Sequence, residues 1–171
     1  MRSFKAFPIE RVIAMNECDY AAVLKHFVRK AIRRIWICQF QINLYPQEDE
    51  TLAVRELVRD FAGAAKRSID VRILIDRAQG NWRIHARNAQ AQSFIPHLGI
   101  PCRYYSGGKR SLHAKYVVID DVISIVGSQN FSHGALCTHR ETGVAILSCP
   151  MNTHLRQHFL FVWEQSSSEH T

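Results

Sequence analysis

The chain has 171 residues, 47% of them hydrophobic and nine of them Phe, which fits one folded domain with a real core and excludes a disordered chain. Lys and Arg outnumber Asp and Glu by 22 to 15, a net charge of +7 with an isoelectric point near 9.4, so polyanions such as nucleic acid or acidic lipid surfaces are the favoured partners. No apolar run approaches the roughly 18–20 residues of a membrane helix, and the start Met1–Pro8 holds no apolar block of signal-peptide length, so a cytoplasmic chain without stable membrane insertion is expected. Cys18, Cys38, Cys102, Cys137 and Cys149 are odd in number and scattered, with no CxxC pair. That pattern is neither a disulfide framework nor a zinc site, and most of the five are expected to be small core fillers.

In chain order, Arg11–Met15 reads as a strand. Asp19 can cap a helix over Tyr20–Ala31, with Val23, Phe27 and Ile32 near one face. Residues 35–42 form a nearly continuous apolar run, as expected of a strand covered on both faces. An acidic loop is predicted over 43–50, a helix over 52–66, and a third strand over 71–76. Gln79-Gly80-Asn81 breaks the chain before a helix over 85–97, which Gly99 and Pro101 close. Cys102–Tyr105 reads as a short strand and residues 106–108 as a turn. Lys115–Asp120 and Val122–Gly127 pair across an Asp-Asp turn. A strand over 141–147, a helix over 151–165 with His154, His158 and Glu164 on its polar side, and a frayed serine tail at 166–168 complete the order. Strands alternating with helices predict a layered α/β fold.

The chemistry concentrates in His113, Lys115, Asp120, Gly127, Ser128 and Asn130, the pattern H-x-K-x4-D-x6-G-S-x-N. On a strand, residues two apart share a face, so His113 and Lys115 project together, and the hairpin returns Ser128 and Asn130 beside them. Such a group suits a phosphate: Lys neutralises charge, Ser and Asn donate hydrogen bonds, and His attacks or protonates. Basic residues near this hairpin, namely Arg83, Arg87, Lys109 and Arg110, are candidates for substrate binding. Lys25, Arg29, Lys30, Arg33 and Arg34 read instead as a solvated helical face. His133 and His139 flank the Asn130 loop without a metal-ligand spacing, and read as rim residues.

The motif resembles the HKD signature of the phospholipase D superfamily at every defining position. Over about residues 10–165 the order of elements resembles the small single-motif members, bacterial nucleases and their animal relatives at mitochondrial surfaces. The resemblance implies a single phospholipase D-like catalytic domain over 1–171, with a mixed β-sheet flanked by helices on both faces and a short polar tail. It also implies a homodimer, because the superfamily uses two HKD motifs per active site and this chain carries one. On that scheme one His113 attacks phosphorus, the other protonates the leaving oxygen, and Lys115, Asn130 and Ser128 hold the phosphate. Glu141 falls where these nucleases carry a carboxylate that buttresses the histidine ring; an ordinary salt bridge with Arg140 is the alternative. Asp120 lies at the far end of the strand and is expected to support the turn. No metal and no cofactor are implied.

Three functions follow as expectations. The first is a metal-independent endonuclease on single- or double-stranded nucleic acid without sequence preference. The second is a phospholipase acting on an acidic lipid such as cardiolipin, for which Trp82 and Tyr104-Tyr105 supply a modest apolar surface. The third is a non-catalytic nucleic-acid-binding module.

Overall fold

In a computed structural model, which describes residues 4–44, 52–105, 107 and 110–167, the elements run β1 (Arg11–Asn16), α1 (Asp19–Lys30), β2 (Arg34–Gln39), α2 (Leu52–Lys66), β3 (Asp70–Asp76), α3 (Trp82–Phe94), β4 (Cys102–Tyr105), β5 (Tyr116–Ile119), β6 (Ile123–Gly127), β7 (Thr142–Leu147), α4 (Cys149–Glu164) and β8 (Ser166–Ser167). They build one mixed sheet in the order β1-β7-β6-β5-β2-β3-β4-β8. β2, β3 and β4 are parallel, and every other pairing is antiparallel.

The helices divide between the two faces, as expected from the sequence. Ile35, Ile37, Ile73, Ile75, Val117 and Ala145 face α1–α3 and join Tyr20, Leu24, Leu57, Phe61 and Ala91 in the larger core. Trp36, Cys38, Leu74, Tyr116 and Val118 face α4 through Phe159, Val162 and Trp163. β2 is buried through Ile35–Gln39, which is why its sequence shows an apolar run rather than an alternation.

Several boundaries move for local reasons. β2 ends at Gln39, leaving Ile42 in an isolated bridge with Phe131. α3 starts at Trp82 because Asn81, read above as a breaker, caps it by accepting from the Ile84 N–H at 3.2 Å. Its α-helical part stops at Phe94; Pro96 tightens Ile95–Leu98 into a 3-10 turn, which Gly99 closes at φ 78°. α4 starts at Cys149, capped by Ser148 with Pro150 in its first turn. Residues 166–167 are not frayed, since Tyr104 and Tyr105 of β4 pair with Ser167 and Ser166. The cysteines also need correction: only Cys38 and Cys102 are buried, while Cys18, Cys137 and Cys149 are exposed. Of the predicted 43–50 loop, residues 45–50 lie outside the described residues, as do 106 and 108 of the predicted turn and Ser168; Asn43 and Leu44 are buried. Among the described residues no helix is long and apolar enough to cross a membrane.

Candidate active site

β5 begins at Tyr116, one residue later than the alternation predicted, so His113-Ala114-Lys115 is the lead-in to the strand rather than part of it. That lead-in is fastened from beneath. Asp76, at the end of β3 and almost fully buried, accepts hydrogen bonds from the Leu112 N–H, the Ala78 N–H and the Ser111 hydroxyl. Asn88 of α3, also buried, donates to the carbonyls of Phe40 and Asp76 at 2.8 Å each and accepts from the Ile42 N–H at 2.9 Å. The ends of β2 and β3 are thereby locked together below His113. Neither Asp76 nor Asn88 stood out in the sequence, because a strand-terminal Asp and a helical Asn carry no signal until the fold juxtaposes them.

His113 is exposed, while Lys115 is only 8% exposed. The Lys115 Nζ donates to the His113 carbonyl at 2.9 Å and lies 3.3 Å from the His113 Nδ1. Phe40 supports both: its ring centroid is 4.5 Å from the imidazole and 5.2 Å from the Lys115 Nζ. Burial lowers the Lys115 pKa, and the nearby Glu141 and Cys38 oppose that shift. Among the described residues Lys115 forms no ion pair.

The returning arm places the other motif residues. The Ser128 N–H donates to the Thr142 carbonyl at 3.1 Å, and the Ser128 hydroxyl donates to a Glu141 carboxylate oxygen. Glu141 therefore meets Ser128 and lies near Lys115 without bonding the His113 ring, which departs from the expected buttress. The alternative salt bridge is absent too, because Arg140 pairs with Glu17 at 2.8 Å. The Asn130 Oδ1 is buried and makes no hydrogen bond among the described residues. Its loop is held by Phe131, whose N–H donates to the Gln41 carbonyl at 3.0 Å and whose ring stacks on Phe61.

Gly127 and Gly143 face each other across β6 and β7. The Gln129 Oε1 rests against both, in the space their side chains would take. A Cβ on Gly127 would strike that oxygen, so the motif glycine is required by close approach rather than by a left-handed φ. Gln129 is the residue between Ser128 and Asn130, and its side chain is fully buried against the two glycines.

Asp120 stands apart. At the opposite end of β5, with φ 53°, its carboxylate accepts the N–H groups of Ile32, Arg33 and Arg34 at 3.2, 2.8 and 3.1 Å. Next to it Asp121 takes ion pairs from Arg33, Arg34 and Arg156 at 2.7, 2.7 and 2.9 Å. Arg33 and Arg34, read above as a solvated face, are committed to this cluster.

Of the candidate rim, Arg110 lies beside the site, against a cavity walled by Phe40 and Ser111. Arg83 and Arg87 sit on α3 and do not line that cavity; the Arg83 guanidinium covers the Trp82 ring. Lys109 lies outside the described residues.

The profile of the family described as "Cardiolipin synthase, PLD-like domain" matches residues 24–163. The chain belongs to the phospholipase D-like family. Nuc, a phospholipase D family member from Salmonella typhimurium, superposes with a TM-score of 0.76 at 21% identity, over 94% of this chain and 99% of its own. NucT from Helicobacter pylori does so at 0.68 and 15% identity, over 91% of this chain and 98% of its own. Phosphatidylserine synthase from Haemophilus influenzae Rd KW20 reaches 0.68 at 16% identity, over 92% of this chain but 40% of its own. At such identities these likenesses concern the fold. No curated protein matches the chain by sequence. Membership in this family makes the protein a phosphodiesterase-type enzyme in its fold, with the motif end of the β5–β6 hairpin as its candidate centre.

Proposed function

We propose that the protein is a metal-independent endonuclease that hydrolyses nucleic-acid phosphodiester bonds through a phosphohistidine, at a site shared by two copies of the chain. The observation that carries this reading is the pairing of an exposed imidazole with a buried ammonium, 3.3 Å apart and without a carboxylate ion pair on the lysine. A desolvated cation without an ion pair beside a nucleophile favours an anion between them. The net charge of +7, with Arg77 and Arg110 against the cavity beside Phe40, favours a polyanionic strand over a single headgroup.

In the first step the Nε2 of one His113 forms a bond to phosphorus, and the bond from phosphorus to the leaving oxygen breaks. The imidazolium of the other His113 gives that oxygen its proton. In the second step water attacks phosphorus, its proton passes to the now neutral second imidazole, and the phosphorus–nitrogen bond breaks. Lys115 and Asn130 hold the non-bridging oxygens throughout. Without substrate, the Lys115 ammonium points at Nδ1, which leaves the proton of a neutral ring on Nε2. A bound phosphate draws the ammonium onto its own oxygens, and the attacking ring then carries its proton on Nδ1. The scheme asks one imidazole to attack as the neutral ring and its mate to donate a proton.

Asp120 supports this centre from a distance by fixing the hairpin, and no catalytic contact is assigned to it. Ser128 and Glu141 act as one hydrogen-bonded pair beside Lys115. The scheme asks for no cofactor and no metal, since the second imidazolium and Lys115 supply the positive charge. A single catalytic domain over the chain, paired as a homodimer, completes the reading.

A phospholipid substrate is the rival reading, favoured by the family's own description and by Trp82, which is 74% exposed. One screen separates the two: single-stranded DNA, duplex DNA, RNA and cardiolipin vesicles, each in EDTA, with His113→Ala as control and sedimentation to establish the assembly. Cleavage of nucleic acid by a dimer, lost in the variant, is expected. Cardiolipin hydrolysis alone transfers the reading to lipid; rescue only by magnesium or zinc, or full turnover by a monomer, overturns the mechanism.

A further inference from the structure

A cavity of about 340 Å³ opens beside the candidate centre, walled in part by the Phe40 ring that packs on His113, with Arg77, Tyr105 and Arg110 among its other walls. Its size falls at the low end of the roughly 300–1,000 Å³ typical of ligand pockets. We infer that this cavity is a nucleobase subsite, which takes one unpaired base next to the scissile phosphate and so selects single-stranded nucleic acid. The inference rests on the endonuclease reading above and names the form of substrate that reading leaves open.

Position, chemistry and rigidity agree. Phe40 is a shared wall: it packs on His113 and reaches Lys115 on the phosphate side, and faces the cavity as well. A phosphate held by Lys115 therefore sits one aromatic ring from the cavity, within the span of a single nucleotide. Phe40 and Tyr105 offer rings on which any base can stack, which suits an enzyme without sequence preference. Arg77 and Arg110 add positive charge where the flanking phosphates must pass. Among the described residues the one acidic wall, Asp76, is already occupied by the Ala78 and Leu112 N–H groups and the Ser111 hydroxyl.

One wall, at Arg77, is tied to two neighbouring elements before substrate arrives. The Arg77 N–H donates to the Tyr105 carbonyl at 3.1 Å, and the Arg77 carbonyl bonds the His85 Nδ1 at 2.7 Å. Stacking in a preformed slot avoids an ordering cost on binding. A base inside a duplex is stacked and paired, and reaches such a slot only by being extruded. Duplex substrates are discriminated against for that reason, while the phosphate grip is indifferent to strandedness.

The test compares kcat/KM on four substrates: a thymidine oligonucleotide, the same strand annealed to its complement, an abasic strand of equal length with the same phosphates, and methyl 4-nitrophenyl phosphate. The wild type should cut the single strand about tenfold or more faster than either the duplex or the abasic strand, the worth of one base–aromatic stack. Gly80→Trp plugs the cavity, and an added Cβ at Gly80 meets nothing within 4 Å. With an unchanged melting curve, it should bring the ratio of single strand to abasic strand down to about one, and Tyr105→Ala should lower the same ratio from the opposite wall. A wild type that cuts all three strands alike overturns the subsite even if Gly80→Trp fails to fold, and so does a folded Gly80→Trp that keeps the wild-type ratio. A wild type that hydrolyses the small ester and none of the strands overturns the endonuclease reading, and the subsite with it.

Discussion

The two ends of the β5–β6 hairpin carry similar residue types in opposite conditions. At the turn, Asp120 accepts three backbone N–H groups and Asp121 is ringed by three arginines. At the open end, among the described residues, Lys115 is buried without an ion pair, the Asn130 Oδ1 lacks a hydrogen bond, and the His113 ring is exposed. Buried polar groups are normally satisfied, so a cluster left unspent marks where a ligand belongs. The motif thus joins residues doing two jobs, and the state of their hydrogen bonds tells them apart better than their shared place in one sequence pattern.

The sharpest way to break that comparison is His113→Ala. If the open end is the reactive one, turnover should fall by about a thousandfold or more, with the melting curve unchanged because the side chain is exposed. Acid-labile, alkali-stable labelling of the wild type by a 32P-containing substrate, absent in the variant, checks the covalent step. Undiminished turnover would remove the chemical meaning of the open end.

The turn end predicts the converse. Asp120→Ala strips an acceptor from three N–H groups and should destabilise the fold by about 2 kcal/mol, seen as a drop in Tm of roughly 4–8 °C. Asp120→Asn keeps one acceptor and tolerates the left-handed φ, so its loss should be smaller. Activity per folded molecule should survive in both. Loss of turnover at an unchanged Tm would place Asp120 with the open end after all.

A third experiment sharpens the boundary of the open end. Arg110→Gln should flatten the dependence of log Kd on log salt for single-stranded DNA by about 0.7, the share of one phosphate contact. Arg83→Gln and Arg87→Gln, away from the cavity, should change that slope less. Equal slopes in all three variants would extend the binding surface along α3.

The smallest effect belongs to the α4 face. The His158 Nδ1 pairs with the Tyr116 hydroxyl at 2.8 Å, and its pKa is lowered by burial and then by nearby His154. Below the ordinary value near 6.5, the unfolded chain takes up this proton before the folded one does. Stability from this contact is therefore present at neutral pH and declines as pH falls through that window. Tm measured from pH 7.5 to 5 should slope less in His158→Gln than in the wild type, with catalysis at neutral pH unaffected.

Much of this was legible in the sequence, and the reasons are specific. The apolar stretch of β2 and the fixed spacing of the motif are strong local signals, so the mixed sheet, its helices on both faces and the family were all readable. α2 matched its predicted range over the described residues, Leu52–Lys66. α3 and α4 were misplaced where one polar residue, Asn81 or Ser148, serves as a cap that sequence alone reads as loop. The pairing of β8 with β4 was invisible, since two serines carry no strand signal and the pairing is set by an edge that only the folded sheet presents. Within the site, Asp76, Asn88, Phe40 and Gln129 were missed because their importance comes from neighbours distant in the chain. The expected role of Glu141 shifted for the same reason: the Ser128 hydroxyl lies closer to it than the imidazole does.

The notch formed by Gly127 and Gly143, filled by Gln129, has a consequence for how such a sequence can drift. The three positions are sterically interlocked, so they cannot be exchanged one at a time in any order. While Gln129 stays, a methyl group at Gly127 collides with its amide oxygen, and one at Gly143 is pressed against both that oxygen and the Val126 carbonyl. Shortening residue 129 first removes the amide and opens the notch. Even then only one strand can gain a side chain, because each glycine's new methyl would crowd the Cα of the other. Descendants of this chain should therefore change residue 129 before either glycine, and keep at least one of the two.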